Sequence, residues 1–153
     1  MRKAIFFDLD GTLADFYNVE GWLDYLMNSD PTPYRVAKPL TNMNILARTL
    51  NNLQRQGYII GVVSWLSRGG TQEFNKTVTE TKRKWLNQHL KSVHWDEIHI
   101  IPYGTPKYNV PSVKGGYLFD DEKPNRKAWR ENGGEAFSET NILEILKGLK
   151  EVG

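Results

Sequence analysis

Aspartate residues are paired at two places in this 153-residue sequence. Asp8 and Asp10 lie on either side of Leu9, and Asp120 and Asp121 are adjacent. Side chains two positions apart on a strand point the same way, so Asp8 and Asp10 are expected to project together at the end of an extended segment. Neighbouring carboxylates repel one another unless a cation or a shared proton relieves the repulsion. Hard cations such as Mg²⁺ take carboxylate oxygens, so the two pairs predict a metal site if the fold brings them together.

Three further polar residues have side chains suited to binding a polar or anionic group. Thr12 follows Gly11, which permits a sharp turn, and its hydroxyl can contact a polar ligand. Ser64 ends an apolar run, where its hydroxyl and nearby free N–H groups can donate to an anion, and Trp65 beside it is a candidate substrate contact. Lys107 lies in a loop with Gly and Pro, where its ammonium could neutralise a phosphate or hold a carboxylate. Taken singly, such residues are also explained as turns, helix caps or solvated side chains.

Four short apolar runs have the length of buried strands, and segments with helical spacing lie between them. This alternation predicts an α/β fold with three layers, in which helices cover both faces of a parallel, Rossmann-like sheet. The expected strands are Ala4–Phe7, Tyr58–Val63, Ile98–Ile101 and Tyr117–Phe119, with a brief edge strand at Glu135–Phe137. The expected helices are Asn44–Gln56, Thr71–Leu90, a short helix that Pro124 opens and Gly133 and Gly134 close, and Asn141–Val152.

Residues 15–41 interrupt this alternation after the first expected strand. The segment is too long for an ordinary connection between a strand and a helix, and too short for a domain. It contains an expected helix at Val19–Asn28 and a turn-rich stretch at Ser29–Pro33. We therefore expect one domain over residues 1–153, with a small helical cap at residues 15–41 that covers the site following the first strand.

The candidate site residues occupy equivalent places in the predicted sheet. The first acid pair, the serine, the lysine and the second acid pair each lie at or just beyond the end of a different expected strand. In an open α/β sheet, the carboxyl ends of parallel strands face one ligand crevice. Independent structural roles would not favour this arrangement, so the sequence predicts that these side chains share one site.

The same residues resemble the four motifs of the haloacid dehalogenase-like (HAD) superfamily of phosphatases, in order and over nearly the whole chain. The motifs are Asp8-Leu9-Asp10-Gly11-Thr12-Leu13, then Ser64 after an apolar strand, then Lys107, then Asp120-Asp121. An acidic residue at the position of Asp10 is typical of the phosphatases in that superfamily. The resemblance implies a phosphomonoester hydrolase with Mg²⁺ as its cofactor and with the fold expected above.

The resemblance also implies a role for each catalytic side chain. Asp8 is the expected nucleophile, which forms an aspartyl-phosphate, and Asp10 is the expected general acid and then general base. Ser64 and Lys107 would hold the phosphoryl oxygens, and Lys107 would also steady Asp8. Phosphoryl transfer depends mainly on positioning and charge neutralisation, which these groups and Mg²⁺ can provide.

The implied metal site draws on both acid pairs. Mg²⁺ would take the carboxylates of Asp8 and Asp120 with the backbone carbonyl of Asp10, and Asp121 would contribute through water. The sequence departs from the family pattern at Asn125, which stands where many relatives carry a further acid.

Two stretches look like the branch of this superfamily that contains the 5'(3')-deoxyribonucleotidases, namely DLDGTLADF at residues 8–16 and LFDDEKP at residues 118–124. The expected substrate is therefore a (deoxy)nucleoside monophosphate, with a sugar phosphate or a polynucleotide end as alternatives. Aromatic residues in or near the insertion could stack a nucleobase, although forming the core of the cap is the simpler role for most of them. These aromatic residues are Phe16, Tyr17, Trp22, Tyr25 and Tyr34.

Basic residues crowd the expected helix Thr71–Leu90 and its flanks. Because Glu73 and Glu80 are interspersed among them, a solvated helix face is a simpler interpretation than a track for nucleic acid. Nucleic acid is accordingly a less favoured partner than a small phosphomonoester. The basic residues are Arg68, Lys76, Lys82, Arg83, Lys84 and Lys91.

Two non-enzymatic functions are compatible with parts of the pattern. A signalling receiver domain also gathers acids, a hydroxyl and a lysine around Mg²⁺, but its paired acids follow the first strand and its lysine follows a late one. Here Asp8 and Asp10 come first, and Lys107 precedes the paired acids, which argues against a receiver. A phosphate-binding module without activity is the second alternative, although every expected catalytic position is filled.

Composition sets few further limits. The chain has 39% hydrophobic residues, and its 20 basic and 18 acidic residues leave a net charge of +2, which does not identify a partner. It contains no cysteine, so disulfides and thiolate metal sites are excluded. Neither a secretory signal nor an apolar stretch long enough to span a bilayer is visible, so we expect a cytoplasmic protein without membrane contact.

Overall fold

A computed structural model describes the backbone of residues 3–152 and the side chains of residues 3–149. Five β-strands form one parallel sheet in the order β3-β2-β1-β4-β5. The strands are β1 (Ala4–Phe7), β2 (Ile59–Trp65), β3 (Glu97–Ile101), β4 (Tyr117–Phe119) and β5 (Glu135–Phe137). The helices are α1 (Trp22–Met27), α2 (Thr32–Val36), α3 (Met43–Arg55), α4 (Gln72–His89), α5 (Lys123–Glu131) and α6 (Ile142–Val152), with short 3-10 helices at Lys107–Asn109 and Glu139–Asn141. Within residues 3–152, no helix combines the length and the apolar character needed to cross a bilayer.

The first strand lies at the centre of the sheet, and helices cover both faces. Ile5 pairs with Ile60 of β2 on one side and with Tyr117 of β4 on the other. Successive strand residues point to opposite faces, so Ile5 joins the larger core with buried residues of α3, α4 and α6. Phe6 points the other way and packs with Trp129 of α5. The predicted α/β fold, a three-layer Rossmann-like parallel sheet, is confirmed.

The two longest helices of the core begin at side-chain caps. Asn42 Oδ1 accepts a hydrogen bond from the backbone N–H of Ile45 at the start of α3, at 3.0 Å. Thr71 Oγ1 accepts one from the backbone N–H of Phe74 at the start of α4, at 3.1 Å. Each cap satisfies a backbone donor that has no partner within its own helix. The cap at Thr71 fixes the start of the helix that follows β2.

The second strand is longer than the sequence predicts. The expected strand ends at Val63, whereas β2 continues through Ser64 and Trp65, which pair with Ile100 and Ile101 of β3. The local pattern does not reveal this pairing, because it depends on a strand far along the chain. As a result, Ser64 is held by the sheet rather than by a loop.

Residues 15–41, the predicted insertion, begin and end side by side. The backbone N–H of Asp15 donates to the Lys38 carbonyl at 2.7 Å. The backbone N–H of Leu40 donates to the Leu13 carbonyl at 2.9 Å. These two bonds close the base of the insertion next to the turn that follows β1.

The helices of the insertion differ from their predicted bounds. The first begins later than expected, at Trp22, because Gly21 adopts a left-handed conformation with a φ of 74°. The stretch Ser29–Pro33, predicted as turns, leads into α2. Asp30 Oδ1 accepts hydrogen bonds from the backbone N–H and the hydroxyl of Thr32, at 2.9 and 2.6 Å, and so stabilises the start of α2.

Candidate active site

The turn after β1 packs against the acids that follow β4. Asp8 and Asp10 both follow β1, and Gly11 makes the turn with a φ of +80°, a conformation that favours glycine. A Cβ on Gly11 would lie 2.5 Å from Asp121 Oδ2, so a larger residue would collide with the site. The two acid pairs of the sequence are therefore brought together at the carboxyl end of the sheet.

Asp8, Lys107 and Asp120 form a buried ion-pair network. The Lys107 ammonium donates to Asp8 Oδ1 at 3.0 Å and to Asp120 Oδ2 at 2.8 Å. None of the three residues is more than 6% exposed. Burial by itself lowers the pKa of the Lys107 ammonium, but the two carboxylates outweigh burial and raise that pKa above its usual range. Lys107 is therefore charged and neutralises part of the negative charge beside Asp8.

A third carboxylate completes a group that could hold a metal ion. One carboxylate oxygen from each of Asp8, Asp120 and Asp121 lies within 4.8 Å of the others. Burial and repulsion from Asp8 raise the pKa of Asp120 to about 6. Burial, with hydrogen bonding and repulsion from Asp8, raises the pKa of Asp121 to about 8. A cluster of this kind favours a proton or a cation, and its hard oxygen donors fit Mg²⁺.

Thr12 links the two pairs of acids. Its Oγ1 lies 3.3 Å from Asp8 Oδ2 and 3.2 Å from Asp121 Oδ1, and it accepts a hydrogen bond from the backbone N–H of Asp121 at 3.1 Å. The side chain is fully buried. The Thr12 hydroxyl therefore orients the acids, and its expected contact with the substrate stays a prediction.

Donors on the chain after β4 orient Asp120. The backbone N–H of Glu122 donates to Asp120 Oδ1 at 2.9 Å, and the Asn125 side chain donates to Asp120 Oδ2 at 3.2 Å. An acid at position 125 could only accept hydrogen bonds when ionised, whereas an amide also donates. Asn125 thus supports Asp120 without adding negative charge to the site.

The end of β2 meets a second buried lysine, Lys82 of α4. Its ammonium donates to Ser64 Oγ at 2.8 Å and to the Trp65 carbonyl at 2.6 Å, and it lies 2.9 Å from Asp10 Oδ2. Because Ser64 accepts this bond, its own hydroxyl proton is available to an anion. Burial raises the pKa of Asp10, and the Lys82 ammonium offsets only part of that rise. The Asp10 carboxylate thus faces Lys82 and lies outside the group of three clustered acids.

The burial of Lys82 corrects the sequence analysis. The charge pattern places Lys82 on a solvated helix face, but the residue is 0% exposed. Its neighbours Arg83 and Lys84 are exposed, as expected. Val78, Lys82 and Leu86 recur at the four-residue spacing of one helix face, and all three are buried in α4. That spacing is the signal that could have identified Lys82 as an interior residue.

The site opens into a cleft of about 820 Å³ that both the core and the insertion line. Asp8, Asp10 and Lys107 line it from the core, and Tyr17 and Leu23 line it from the insertion. This volume is within the range of sites that bind small molecules and cofactors. It is much larger than the volume of a phosphate ion. The cleft therefore has room for the rest of a substrate beyond its phosphate.

Trp65 lines this cleft and supports Lys107. Its indole N–H donates to the Thr105 carbonyl at 2.8 Å, and its ring centroid lies 4.9 Å from that of Tyr103. Lys107 Nζ lies 5.2 Å from the Trp65 ring centroid, a distance at which an aromatic face stabilises a cation. Tyr103 is 51% exposed and also lines the cleft.

The aromatic residues near and within the insertion divide by burial. Phe16 and Tyr34 are buried and form a small apolar cluster with Phe74 of α4, and Trp22 packs against it. Tyr17 is 47% exposed and lines the cleft. The core role that the sequence analysis preferred suits Phe16 and Tyr34, while Tyr17 is placed where it can meet a substrate.

Comparisons with known proteins show a likeness of fold. No protein-family model and no curated protein matches this chain. The D,D-heptose 1,7-bisphosphate phosphatase from B. bronchiseptica, solved with magnesium and phosphate, is 13% identical with a TM-score of 0.59, over 99% of this chain and 100% of that one. The D,D-heptose 1,7-bisphosphate phosphatase from Burkholderia thailandensis is 10% identical with a TM-score of 0.61, over 97% and 98% of the two chains. A HAD family enzyme from Bacteroides thetaiotaomicron is 12% identical with a TM-score of 0.52, over 89% and 92%.

These structures place the chain in a known fold class. At identities of 10 to 13%, the likeness concerns the fold, which extends over nearly the whole chain. The protein has the HAD-like, Rossmann-like α/β fold that the motifs of the sequence imply. Its structural neighbours include phosphatases, and one of them was solved with magnesium and phosphate.

Proposed function

We propose that the chain is a Mg²⁺-dependent phosphomonoester hydrolase that acts through an aspartyl-phosphate on Asp8. The observation that carries the proposal is the position of Asp8, which lies 3.0 Å from the Lys107 ammonium and in one cluster with Asp120 and Asp121. A carboxylate beside a fixed cation and a metal site can approach a phosphoryl group, because its negative charge is neutralised there. The fold likeness to phosphatases supports the same chemistry.

The proposed reaction has two displacements at phosphorus. In the first, an Asp8 oxygen bonds to phosphorus, the bond to the leaving oxygen breaks, and Asp10 donates a proton to that oxygen. In the second, Asp10 takes a proton from water, and the water oxygen displaces the Asp8 carboxylate and releases inorganic phosphate. Asp8, Asp120 and the Asp10 carbonyl, with Asp121 acting through water, would hold Mg²⁺, which would supply charge neutralisation.

Other residues bind the substrate rather than react with it. Lys107 and Ser64 hold the phosphoryl oxygens, since both lie at the carboxyl end of the sheet and both have a proton to donate. Trp65 contacts the substrate beside them, at the wall of the cleft. The insertion acts as a cap, which is supported by its closed base and by the residues with which it lines the cleft.

The proposed substrate is a (deoxy)nucleoside monophosphate. The cleft has room for a group much larger than phosphate, and Tyr17 and Tyr103 offer exposed aromatic rings on which a nucleobase can stack. The stretches at residues 8–16 and 118–124 look like those of 5'(3')-deoxyribonucleotidases. A sugar phosphate is the second candidate, because two of the matched structures are D,D-heptose 1,7-bisphosphate phosphatases.

The Asp8→Asn variant tests the nucleophile. An amide oxygen is a much weaker nucleophile than a carboxylate, so turnover of p-nitrophenyl phosphate at saturating Mg²⁺ should fall by about 1,000-fold or more. Asp24→Asn makes the same chemical change on the exposed surface of α1 and should leave turnover unchanged. Turnover like the wild type in Asp8→Asn would exclude the proposed mechanism. A wild-type protein that binds phosphate but turns over no phosphomonoester would favour a binding module.

A panel of phosphate esters tests the substrate separately. The panel contains nucleotides, sugar phosphates, and oligonucleotides phosphorylated at the 3' or 5' end, and the measurement is phosphate release. A nucleoside monophosphate should have the highest kcat/KM. Rapid turnover of sugar phosphates without turnover of any nucleotide would refute the substrate and leave the reaction class intact.

A further inference from the structure

Lys82 is a buried cation with a full set of oxygen partners. Its three N–H donors face Asp10 Oδ2, Ser64 Oγ and the Trp65 carbonyl, at 2.9, 2.8 and 2.6 Å. An ammonium has three donors, so these contacts account for all of them. The ring of Tyr34, from the insertion, lies 5.0 Å from the same nitrogen and helps to enclose it.

The cost of placing a charge here indicates a functional reason for it. Lys82 occupies the helix face of α4 that otherwise buries Phe74, Val78, Trp85 and Leu86. An apolar residue at such a position is often as stabilising as a buried ion pair, or more so, because desolvating two charges is costly. The core of the protein alone therefore does not require a lysine at position 82.

The geometry points to Lys82 as a positioning residue for the Asp10 carboxyl, an inference that rests on the proposed function. Ser64 and the Trp65 carbonyl belong to β2, so the sheet holds the Lys82 ammonium in place. The ammonium in turn holds one oxygen of Asp10, and a carboxyl fixed at one oxygen cannot rotate freely about its own axis. Lys82 thereby keeps Asp10 in the orientation from which it donates a proton to the leaving oxygen. Lys107 makes no such contact, since its two ion pairs are with Asp8 and Asp120.

This role is tested with two substrates whose leaving groups differ in their need for a proton. We compare kcat/KM for phenyl phosphate, whose leaving phenolate needs a proton, with kcat/KM for 2,4-dinitrophenyl phosphate, whose leaving group does not. Lys82→Met should lower the value for phenyl phosphate at least about 10-fold more than the value for 2,4-dinitrophenyl phosphate, since a positioned general acid contributes about 10²- to 10⁴-fold. Lys84→Met, an exposed change on the same helix, should alter neither value. Equal losses for both substrates, or no loss, would overturn the inference.

A double-mutant cycle makes the test specific to Asp10. If Lys82 acts through Asp10, adding Lys82→Met to Asp10→Asn should change the release of phenolate less than about 2-fold, because residues in one contact are not additive. A full further loss in the Asp10→Asn background would show that Lys82 acts elsewhere and would overturn the inference. If Lys82→Met does not fold, Lys82→Arg is used instead, because it keeps the charge but moves the donors. The ratio of kcat/KM for the two substrates is then measured in that variant.

The outcomes separate this inference from the proposed function. If the wild type shows no Mg²⁺-dependent turnover, or if Asp8→Asn is active, the proposed hydrolase mechanism is wrong and the Lys82 role falls with it. If the wild type is active and Asp8→Asn is not, but Lys82→Met lowers kcat/KM equally for both substrates, only the role of Lys82 is refuted.

Discussion

Replacing Lys107 by methionine removes the charge that lies between two buried carboxylates. In the intact site, Lys107 Nζ lies 3.0 Å from Asp8 Oδ1 and 2.8 Å from Asp120 Oδ2. Lys107→Met keeps most of the side-chain volume, so the change in stability reports on the charge rather than on a cavity. The variant leaves Asp8 and Asp120 facing each other without a cation.

The size of the effect follows from these distances. At an effective dielectric constant of about 20, opposite charges about 3 Å apart attract by about 5 to 6 kcal/mol for each pair. Desolvation of the ammonium and repulsion between the two acids oppose this attraction, so the sum of the pairs overstates the net effect. Breaking a buried pair by removing one partner costs about 3 to 5 kcal/mol, and we expect a loss of that size in the free energy of unfolding.

Urea unfolding in EDTA and in saturating Mg²⁺ measures this loss. In EDTA, Lys107→Met should lose about 3 to 5 kcal/mol. In Mg²⁺ the loss should be smaller, because the cation relieves the same repulsion between carboxylates. Lys114→Met, an exposed lysine before β4, is the matched control and should change stability by less than about 0.5 kcal/mol. A loss below about 1 kcal/mol in EDTA would refute the reasoning that Lys107 neutralises a strained pair of acids.

Two further predictions concern pH and backbone packing. Without metal, stability should fall as the pH rises from about 4 to about 8, because the raised pKa values of Asp120 and Asp121, about 6 and about 8, make the folded state bind protons more tightly than the unfolded chain. Thermal unfolding in EDTA across this range measures the fall, and an unchanged slope in Asp121→Asn would contradict the assignment. Gly116→Ala should destabilise the protein by about 1 to 3 kcal/mol, because its Cβ would overlap the Ala4 carbonyl oxygen of β1. Gly148→Ala, in open space on α6, should instead stabilise the protein by about 0.5 to 1 kcal/mol. Urea unfolding measures both variants. Equal changes in their free energies of unfolding would contradict the predicted overlap, because they would show that the strands adapt to the added Cβ.

Elements with a strong local pattern are predicted best. The bounds of β1, β4 and β5 agree with the expected Ala4–Phe7, Tyr117–Phe119 and Glu135–Phe137. These strands are short apolar runs or lie between glycines and turns, so the pattern alone marks their ends. The start of α2 was missed, because hydrogen bonds from Thr32 to the Asp30 side chain stabilise it within a stretch that reads as turns.

The candidate site residues were predicted from their order along the chain. Asp8, Ser64, Lys107 and Asp120 were each expected at the end of a strand, and the rule that parallel strands end at one rim placed them together. That rule did not identify Lys82, because Lys82 lies on a helix. Its charged neighbours made it resemble a surface residue. Thr12 was also predicted in the site, but the sequence did not reveal that it is fully buried between the two acid pairs.

The sequence by itself therefore determined the fold class, the order of the strands along the chain and the set of acids that meet at one edge of the sheet. Only the tertiary structure decided how the charges pair, with Lys107 between Asp8 and Asp120 and with Lys82 on Asp10. The physical reason is that periodicity depends on neighbouring residues, whereas the pairing of two charges depends on their separation in space and on their burial. Lys82 points inward because packing buries its face of α4. That packing depends on contacts between residues far apart in the chain.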